Sequence, residues 1–256
     1  MTIKGWDSKY TKIVKEFGYS KKDDARAALL LSSIVKRQFS AQKLRKIIAG
    51  RPVFVIGAGP SLPSAISALR RHRDVIKICA DTALGFLVKN GIKPHIVVTD
   101  LDGDLKLLEK NAKSSIVVVH AHGDNIDRLG FARNFKKCIV TTQTKEVGKA
   151  HNFGGFTDGD RCVFLANHFG ASKIFLFGMD FGPRIGRLSN TARSDRKTKL
   201  KKLHRGKILL EWLAPRARSD LFTLSKPLRG FTKISYGELG SSVFGQNGFN
   251  YCKYLR

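Results

Sequence analysis

The chain has 256 residues, of which 42% are hydrophobic, enough to bury the core of one large α/β domain or two small ones. Its formal net charge of +27 is extreme and favours polyanionic partners such as nucleotides or nucleic acid. No apolar run is long enough to span a membrane and no signal-peptide core follows Met1, so we expect a cytoplasmic protein. The four cysteines are far apart, which argues against a disulfide framework and a zinc site.

The first fifth of the chain reads as helical and basic. We expect residues 1–50 to form an N-terminal segment that packs on the rest of the protein. Either Asp23 or Asp24 is the predicted N-cap of a helix that carries the apolar residues up to Val35. A second helix is predicted over residues 41–48.

From Pro52 onward, short apolar runs alternate with helical patterns. This alternation predicts an α/β catalytic domain over residues 51–240, with a mostly parallel sheet and flanking helices. The tail over residues 241–256 has no clear pattern. The predicted strands cover residues 53–56, 75–80, 95–99, 116–120, 138–141, 173–178 and 221–224. The predicted helices between them cover residues 63–71, 83–90, 160–169 and 197–213.

Three carboxylates follow the third predicted strand at alternating positions. Asp100 and Asp102 are expected to share a face at the end of the strand, and Asp104 is placed to join them as a third metal ligand. Like charges this close favour a bound divalent cation, and hard oxygen ligands suit Mg²⁺. A solvated acidic turn is the simpler alternative. An EF-hand is excluded, because Leu105 and Asn111 stand where that loop needs Gly and Glu.

The loop after the first predicted strand is rich in small residues. Its sequence is Gly57-Ala58-Gly59-Pro60-Ser61, and such a loop lets the backbone approach a phosphate at a helix N-terminus. A dinucleotide fingerprint is an alternative, with Asp81 as the ribose ligand, although Leu62 stands where the third glycine would be. The chain has no G-x-x-x-x-G-K-[ST] sequence, which excludes an ordinary P-loop kinase.

Two further polar clusters follow predicted strands. Because ligands of parallel sheets bind beyond the carboxyl ends of the strands, both clusters are candidates for the same site. The histidines could bind metal, contact phosphate or substrate, act as acid–base groups, or be structural, and contact with phosphate or substrate is favoured. Helix capping explains one of the two aspartates in the second cluster but not both. The residues are His120, His122, Asp124 and Asn125 in one cluster, and Asp158, Asp160 and Arg161 in the other.

Residues 184–207 carry ten lysines and arginines against a single acid, Asp195. This segment is predicted either to fold over a polyphosphate as a lid or to be a solvated basic surface. Non-specific binding to nucleic acid is a third expectation from the charge.

Several motifs together resemble the archaeal 6-hydroxymethyl-7,8-dihydropterin pyrophosphokinase family (MptE-like). The motifs are GAGPSL at 57–62, GIKPHIVVTDLDG at 91–103, HAHGDN at 120–125, GFTDGDR at 155–161 and GMDFG at 178–182. The similarity extends from about Trp6 to Gly240. The segment GIKPHIVVTDLDGD is also similar to a stretch of thiamin pyrophosphokinase, so the resemblance implies a Rossmann-like, thiamin-pyrophosphokinase-like core.

The resemblance implies a Mg²⁺-dependent transfer of diphosphate from ATP to a hydroxymethyl-dihydropterin, with release of AMP, in the biosynthesis of folate-like or methanopterin coenzymes. It implies that Asp100 and Asp102 hold Mg²⁺ and that residues 57–61 approach the phosphates of ATP. The residues that it implies line the site are Asp81, His120, His122, Asp124, Asn125, Asp158, Asp160 and Arg161. The general base stays open, with His122 and Asp124 as candidates. A homodimer is an open expectation.

Other functions also fit parts of the sequence. The domain resembles part of certain flagellin-modifying glycosyltransferases, so an enzyme that uses a nucleotide sugar is the first alternative. A dinucleotide-binding oxidoreductase and a basic nucleic-acid-binding protein are weaker alternatives, since neither needs the carboxylates and no known nucleic-acid-binding module is present.

Overall fold

The structure, a computed structural model, describes residues 2–189 and 191–245. Its eight strands form one sheet in the order β5-β4-β3-β2-β1-β6-β7-β8, and every strand pair is parallel. The predicted parallel α/β fold is therefore confirmed. The strands are β1 (Pro52–Ile56), β2 (Ile76–Ala80), β3 (Ile96–Thr99), β4 (Ile116–Ala121), β5 (Cys138–Thr142), β6 (Lys173–Phe177), β7 (Asp220–Thr223) and β8 (Thr232–Lys233).

Helices flank the sheet, and within the described ranges none has both the length and the apolar character that crossing a membrane requires. The sequence patterns did not predict the helix Leu105–Ala112, the helix Leu239–Phe244 or the two-residue strand β8. The helices are α1 (Trp6–Phe17), α2 (Lys21–Ile34), α3 (Ala41–Ile48), α4 (Ile66–Arg71), α5 (Asp81–Lys89), α6 (Leu105–Ala112), α7 (Asp158–His168), α8 (Arg196–Leu213) and α9 (Leu239–Phe244).

The N-terminal end of α2 differs from the prediction. The N-cap is Ser20, whose side chain accepts a hydrogen bond from the amide of Asp23, so the prediction of Asp23 or Asp24 as the cap is wrong. Asp24 instead points inward and is only 2% exposed. Ser is as good a cap as Asp, and the three residues between Ser20 and Asp24 fit the first turn of the helix.

Both faces of the sheet are covered, which explains why the strands read as continuous apolar runs. Alternate residues of β1 belong to different cores: Val53 and Val55 pack with α1, α3, α7 and α8 on one face. Phe54 and Ile56 pack with α2, α4, α5 and α6 on the other face. The N-terminal helices therefore contribute to both layers.

The order of the strands creates a switch point between β1 and β6. From β1 the chain builds the sheet in one direction to β5, and α7 then crosses back to β6 on the other side of β1. In such sheets the connections on the two sides diverge, which leaves a crevice at the carboxyl ends of the two strands. The loops that follow β1 and β6 border this crevice. The predicted tail starts inside α9, and its residues 246–256 lie outside the described part of the chain.

Candidate active site

Four carboxylates meet at the carboxyl edge of the sheet. One oxygen each from Asp81, Asp100, Asp102 and Asp158 lies within 4.8 Å of all the others. Asp81 and Asp158 are the first residues of α5 and α7, whose N-terminal dipoles stabilise negative charge. We call these four residues the acidic cluster. The sequence grouped Asp100 with Asp102, and the structure adds the other two.

The backbone after β3 brings Asp100 and Asp102 together by a turn and not by strand alternation. The strand ends at Thr99, and Leu101 has a φ of 66°, in the left-handed region that non-glycine residues rarely adopt. The Thr99 hydroxyl accepts a hydrogen bond from the Leu101 amide (2.8 Å) and donates one to Oδ2 of Asp81 (2.6 Å). Thr99 thus fixes both the turn and one carboxylate of the acidic cluster.

Asp104 does not join the acidic cluster. It is the N-cap of α6, and its Oδ1 accepts a hydrogen bond from the amide of Leu107 at 3.0 Å. The turn at Leu101 breaks the two-residue alternation on which the grouping of Asp104 with the other two depended.

Burial, together with the charges of neighbouring carboxylates, raises the pKa values of three members of the acidic cluster. Burial, followed by the charge of Asp100, raises the pKa of Asp81 to about 6. Burial and the charges of Asp100 and Asp81 raise the pKa of Asp102 to about 7, and that of Asp158 lies well above its ordinary value for the same reasons. Burial also acts on Asp100, but His122 and then Arg161 hold the pKa of its carboxyl below the ordinary value. Carboxylates that repel one another in this way are suited to a cation.

The donor set of the acidic cluster fits a hard divalent cation. All its ligand atoms are carboxylate oxygens, which Mg²⁺ prefers. Oδ1 of Asp81 and Oδ1 of Asp100 are buried and accept no hydrogen bond from the described residues. Buried oxygens without partners are costly, so a cation at this position would satisfy both.

His122 contacts the acidic cluster, whereas Asp124 does not reach it. Nδ1 of His122 accepts a hydrogen bond from the amide of Asp124 at 3.2 Å, which places the ring proton of a neutral imidazole on Nε2. That Nε2 lies 3.4 Å from Oδ2 of Asp100. The Asp124 side chain is 56% exposed and lies 3.9 Å from the His122 ring. The geometry gives His122 a role in orienting Asp100.

Asn125 and His120 are buried behind the acidic cluster. The Asn125 amide donates to the backbone carbonyls of Asp100 (2.6 Å) and His120 (2.8 Å), so it ties the loop after β4 to the end of β3. His120 is 2% exposed and its Nδ1 lies 3.2 Å from the hydroxyl of Thr141. Burial, followed by the charge of Arg161, lowers the pKa of His120 well below its ordinary value, so the ring is neutral.

The start of α7 separates the roles of Asp158, Asp160 and Arg161. Asp160 is fully buried and accepts hydrogen bonds from the amides of Phe156 and Thr157, both at 2.7 Å, so it caps the helix. Arg161 is 7% exposed and its guanidinium lies 3.4 Å from Oδ1 of Asp158. Capping therefore accounts for Asp160, and Asp158 is left for the acidic cluster.

The glycine-rich loop after β1 packs against the loop after β6. The amides of Gly57 and Gly59 donate to the carbonyls of Phe177 and Gly178, and the amide of Ser61 donates to Oδ2 of Asp180 at 2.9 Å. A Cβ on Gly59 would lie 2.3 Å from the same Asp180 oxygen. These three amides are thus bonded within the protein, and the glycines are required for the close approach of the two loops.

Two cavities meet at the acidic cluster. The first lies in the crevice between the loops after β1 and β6, and Phe156, Met179 and Phe181 give it apolar walls. The second, of about 750 Å³, lies beside the starts of α5 and α6 and is large enough for a small-molecule substrate. Both are bordered by Thr82, Asp102, Ser189, Lys199 and Lys202.

The predicted basic segment contributes only part of its charge to these cavities. Lys199 and Lys202, on the first half of α8, line both of them, and Arg184 lines the first. Arg193 and Arg196 border a separate surface depression. Asn190 lies outside the described residues. Which basic residues face the site depends on how α8 packs against the rest of the protein. The number of basic residues in the segment does not show this.

Other residues at the site were not predicted. Thr99 orients Asp81, and Gln143 accepts a hydrogen bond from Arg161 at 3.3 Å. Both residues stand at or just after the end of a strand, which was the available signal.

Comparison with known proteins agrees with the motifs. Residues 29–186 match the family described as 6-hydroxymethylpterin diphosphokinase MptE-like. The 6-hydroxymethyl-7,8-dihydropterin pyrophosphokinase of Pyrococcus furiosus is 41% identical over 227 residues, which cover 86% of this chain and 97% of that protein. The protein of the same name from Methanocaldococcus jannaschii is 42% identical over 232 residues, which cover 83% and 96% of the two chains. The predicted resemblance is confirmed.

The fold also resembles a solved structure. The MAf glycosyltransferase from Magnetospirillum magneticum AMB-1 aligns with a TM-score of 0.54 over 86% of this chain, at 16% sequence identity. This chain spans 39% of the length of that protein. At this identity the likeness concerns the fold alone.

Proposed function

The chain belongs to the 6-hydroxymethylpterin diphosphokinase MptE-like family and is a diphosphotransferase, and from that premise we propose that it transfers a diphosphate from ATP to the hydroxymethyl group of 6-hydroxymethyl-7,8-dihydropterin. AMP is the second product. The pterin diphosphate would serve the biosynthesis of folate-like or methanopterin coenzymes.

One observation carries the proposal for the site. The acidic cluster stands opposite Lys199 and Lys202 at the place where two cavities meet. A polyphosphate chain that lies between the two substrates needs positive charge on each of its sides. A metal ion bound to the carboxylates would supply it on one side, and Lys199 and Lys202 would supply it on the other. Two adjoining cavities suit a reaction between two small molecules.

The acidic cluster fits a bound Mg²⁺. Asp81, Asp100, Asp102 and Asp158 would hold the ion, which when bound neutralises charge that develops on the phosphate oxygens. Asp81 and Asp100 each offer a buried oxygen that has no hydrogen-bond partner among the described residues. His122 would keep Asp100 in the orientation that binding requires.

The remaining contributions come from positioning. In phosphoryl transfer the protein mainly aligns the reactants and stabilises charge. Lys199 and Lys202 would contact the phosphates, and the N-termini of α5 and α7 would add positive potential at the same place. The apolar walls formed by Phe156 and Phe181 would exclude water from one reactant.

The reaction type can be tested directly. The protein is incubated with ATP, Mg²⁺ and 6-hydroxymethyl-7,8-dihydropterin, and the products are followed by phosphorus NMR. We expect AMP and a pterin diphosphate in equal amounts. Formation of ADP with a pterin monophosphate, or no reaction of the pterin, would contradict the proposal.

The role of the acidic cluster can be tested with matched variants. Asp100→Asn and Asp102→Asn keep the shape of the side chain but remove its charge, so we expect turnover to fall by at least about a hundredfold. Asp104→Asn is the control, because Asn also caps helices and Asp104 lies outside the acidic cluster. Near-normal turnover in both of the first two variants would show that they do not hold a required metal.

Two alternative functions receive less support. The likeness to a glycosyltransferase concerns the fold, and transfer from a nucleotide sugar in the assay above would be needed to favour that activity. A dinucleotide-dependent oxidoreductase would use Asp81 to bind a ribose. Asp81 is instead 8% exposed, receives a hydrogen bond from Thr99 and lies among other carboxylates.

A further inference from the structure

We infer that Asp24, on α2, is a positioning residue that holds two members of the acidic cluster in place from outside the site, an inference that rests on the proposed function. Asp24 is 2% exposed and is not a member of the acidic cluster. Its own carboxylate accepts three hydrogen bonds, from Tyr10, Gly123 and Gln143. Two of these bonds lead to the site by separate routes.

The first route passes through the loop after β4. Oδ1 of Asp24 accepts a hydrogen bond from the amide of Gly123 at 2.8 Å. Gly123 directly follows His122, whose Nε2 lies 3.4 Å from Oδ2 of Asp100. A Cβ on Gly123 would lie 3.0 Å from Cβ of Asp23, so the loop is seated tightly against the first turn of α2. The position of His122, and through it that of Asp100, therefore depends on Asp24.

The second route passes through the loop after β5. Oδ2 of Asp24 accepts a hydrogen bond from the side-chain amide of Gln143 at 2.8 Å. The side-chain oxygen of Gln143 in turn accepts a hydrogen bond from the guanidinium of Arg161 at 3.3 Å. The Gln143 amide is therefore oriented with its nitrogen toward Asp24 and its oxygen toward Arg161. Arg161 lies 3.4 Å from Oδ1 of Asp158. One carboxylate on α2 thus supports Asp100 by one route and Asp158 by the other.

A carboxylate is the group that this position requires. Its three partners all donate, so both oxygens must accept, and an amide would place its own N–H₂ group against a donor. Second-layer hydrogen bonds of this kind orient the groups that bind a metal, and their loss typically weakens metal affinity about tenfold to a hundredfold.

The test measures metal binding as well as activity. Mn²⁺ substitutes for Mg²⁺, and the free Mn²⁺ is measured by EPR during titration of the protein in the presence of ATP. We expect Asp24→Asn to weaken Mn²⁺ binding by about tenfold or more, and Gln143→Met, which cuts one route, to weaken it by a smaller factor. Turnover should fall in the same order.

Two control variants separate positioning from stability. Tyr10→Phe removes the third hydrogen bond to Asp24, which does not lead to the site. Lys149→Met removes the ammonium group that binds the carbonyls of Ser32, Val35 and Lys36 at the C-terminal end of α2. Both variants should lower the melting temperature while leaving the Mn²⁺ affinity and turnover unchanged.

The outcomes distinguish this inference from the proposed function. If the wild type binds Mn²⁺ and turns over substrate but Asp24→Asn and Gln143→Met bind Mn²⁺ equally well, the inference is overturned and the proposed function stands. A wild type without pterin diphosphate formation would instead refute the proposed function. If Asp24→Asn does not fold, Gln143→Met decides: weaker Mn²⁺ binding supports the inference, and unchanged binding overturns it.

Discussion

Asp102 illustrates how crowding at the edge of the sheet changes the behaviour of a single side chain. Its pKa is about 7 in the folded protein, against an ordinary value of 3.8. Between these two pH values the folded state holds a proton that the unfolded chain has lost, so this group makes the folded state less stable as the pH rises. Burial is the main cause of the raised pKa, followed by the charges of Asp100 and Asp81, and a bound cation would offset both.

This behaviour predicts the pH dependence of the metal-free protein. In the absence of divalent ions, Asp102→Asn should stabilise the protein by an amount that grows between about pH 4 and about pH 7, the ordinary and the folded-state pKa values of Asp102, because the variant lacks the ionising group. Melting temperatures of the variant and the wild type at each pH give the difference. With saturating Mg²⁺ the wild type should instead have the higher melting temperature, because it binds the ion more tightly than the variant does. A difference that is constant with pH would contradict the assignment.

For single residues, the sequence indicated site residues where a charged side chain directly follows a predicted strand. Asp100 and Asp102 stand out because two acids directly follow an apolar run. The sequence does not show in the same way that Asp81 and Asp158 belong to the acidic cluster. Asp81 begins α5 and Asp158 begins α7, and these two helix starts are far apart in the chain and come together only in the folded protein. Asp104 was grouped with Asp100 and Asp102 on the assumption that side chains alternate along an extended strand. That alternation ends at Leu101, whose φ is positive.

Helix α8 combines an anchored half with a half that faces the site. Leu209, Leu210 and Leu213 are buried against the sheet layer, whereas Lys199 and Lys202 line the cavities near the acidic cluster. Lys199 is close enough to Asp102 for its charge to counter the rise in the pKa of that carboxyl. The second half therefore fixes where the two lysines stand.

Lys199 and Lys202 should contribute to ATP binding, whereas lysines far from the acidic cluster should not. Replacing both Lys199 and Lys202 with Gln should raise the Michaelis constant for ATP by at least about tenfold, since bonds to charged groups are lost. Replacing Lys43 and Lys46 with Gln is the matched control: it removes the same charge from exposed positions on α3, which leads into the amino end of β1. Steady-state kinetics at low and high salt measure both. Equal effects of the two double variants would mean that only the net charge matters.

For the whole molecule, the switch point of the sheet fixes where the site lies. The two halves of the sheet meet at β1 and β6, and the loops after these strands are joined by amides of Gly57, Gly59 and Ser61. The apolar runs predicted the strands and their parallel direction well. They did not predict that β6 pairs with β1, because strand order is set by contacts between distant parts of the chain, which local periodicity does not contain.

The contact between the two loops gives a prediction for stability. A Cβ at Gly59 would lie 2.3 Å from Oδ2 of Asp180 and 2.5 Å from the carbonyl oxygen of Gly178, so Gly59→Ala should lower the free energy of unfolding by about 1–3 kcal/mol. Gly130→Ala is the control, because no atom of the described residues, apart from the adjoining backbone, lies within 4 Å of the added carbon. Urea denaturation of both variants measures the difference. A Gly59→Ala protein as stable as the control would show that the two loops separate easily.

The long-range bonds around the crevice also bear on how the protein folds. Ser61 is bonded to Asp180 and to Ser225, 119 and 164 positions further along the chain, and Asp24 is bonded to Gln143 across another 119. Contacts between such distant residues close large loops and form slowly. During synthesis, the crevice therefore cannot be completed until β7 and the turn that contains Ser225 have emerged, even though most of the catalytic candidates are translated much earlier. The protein should accordingly gain secondary structure well before it gains enzymatic activity.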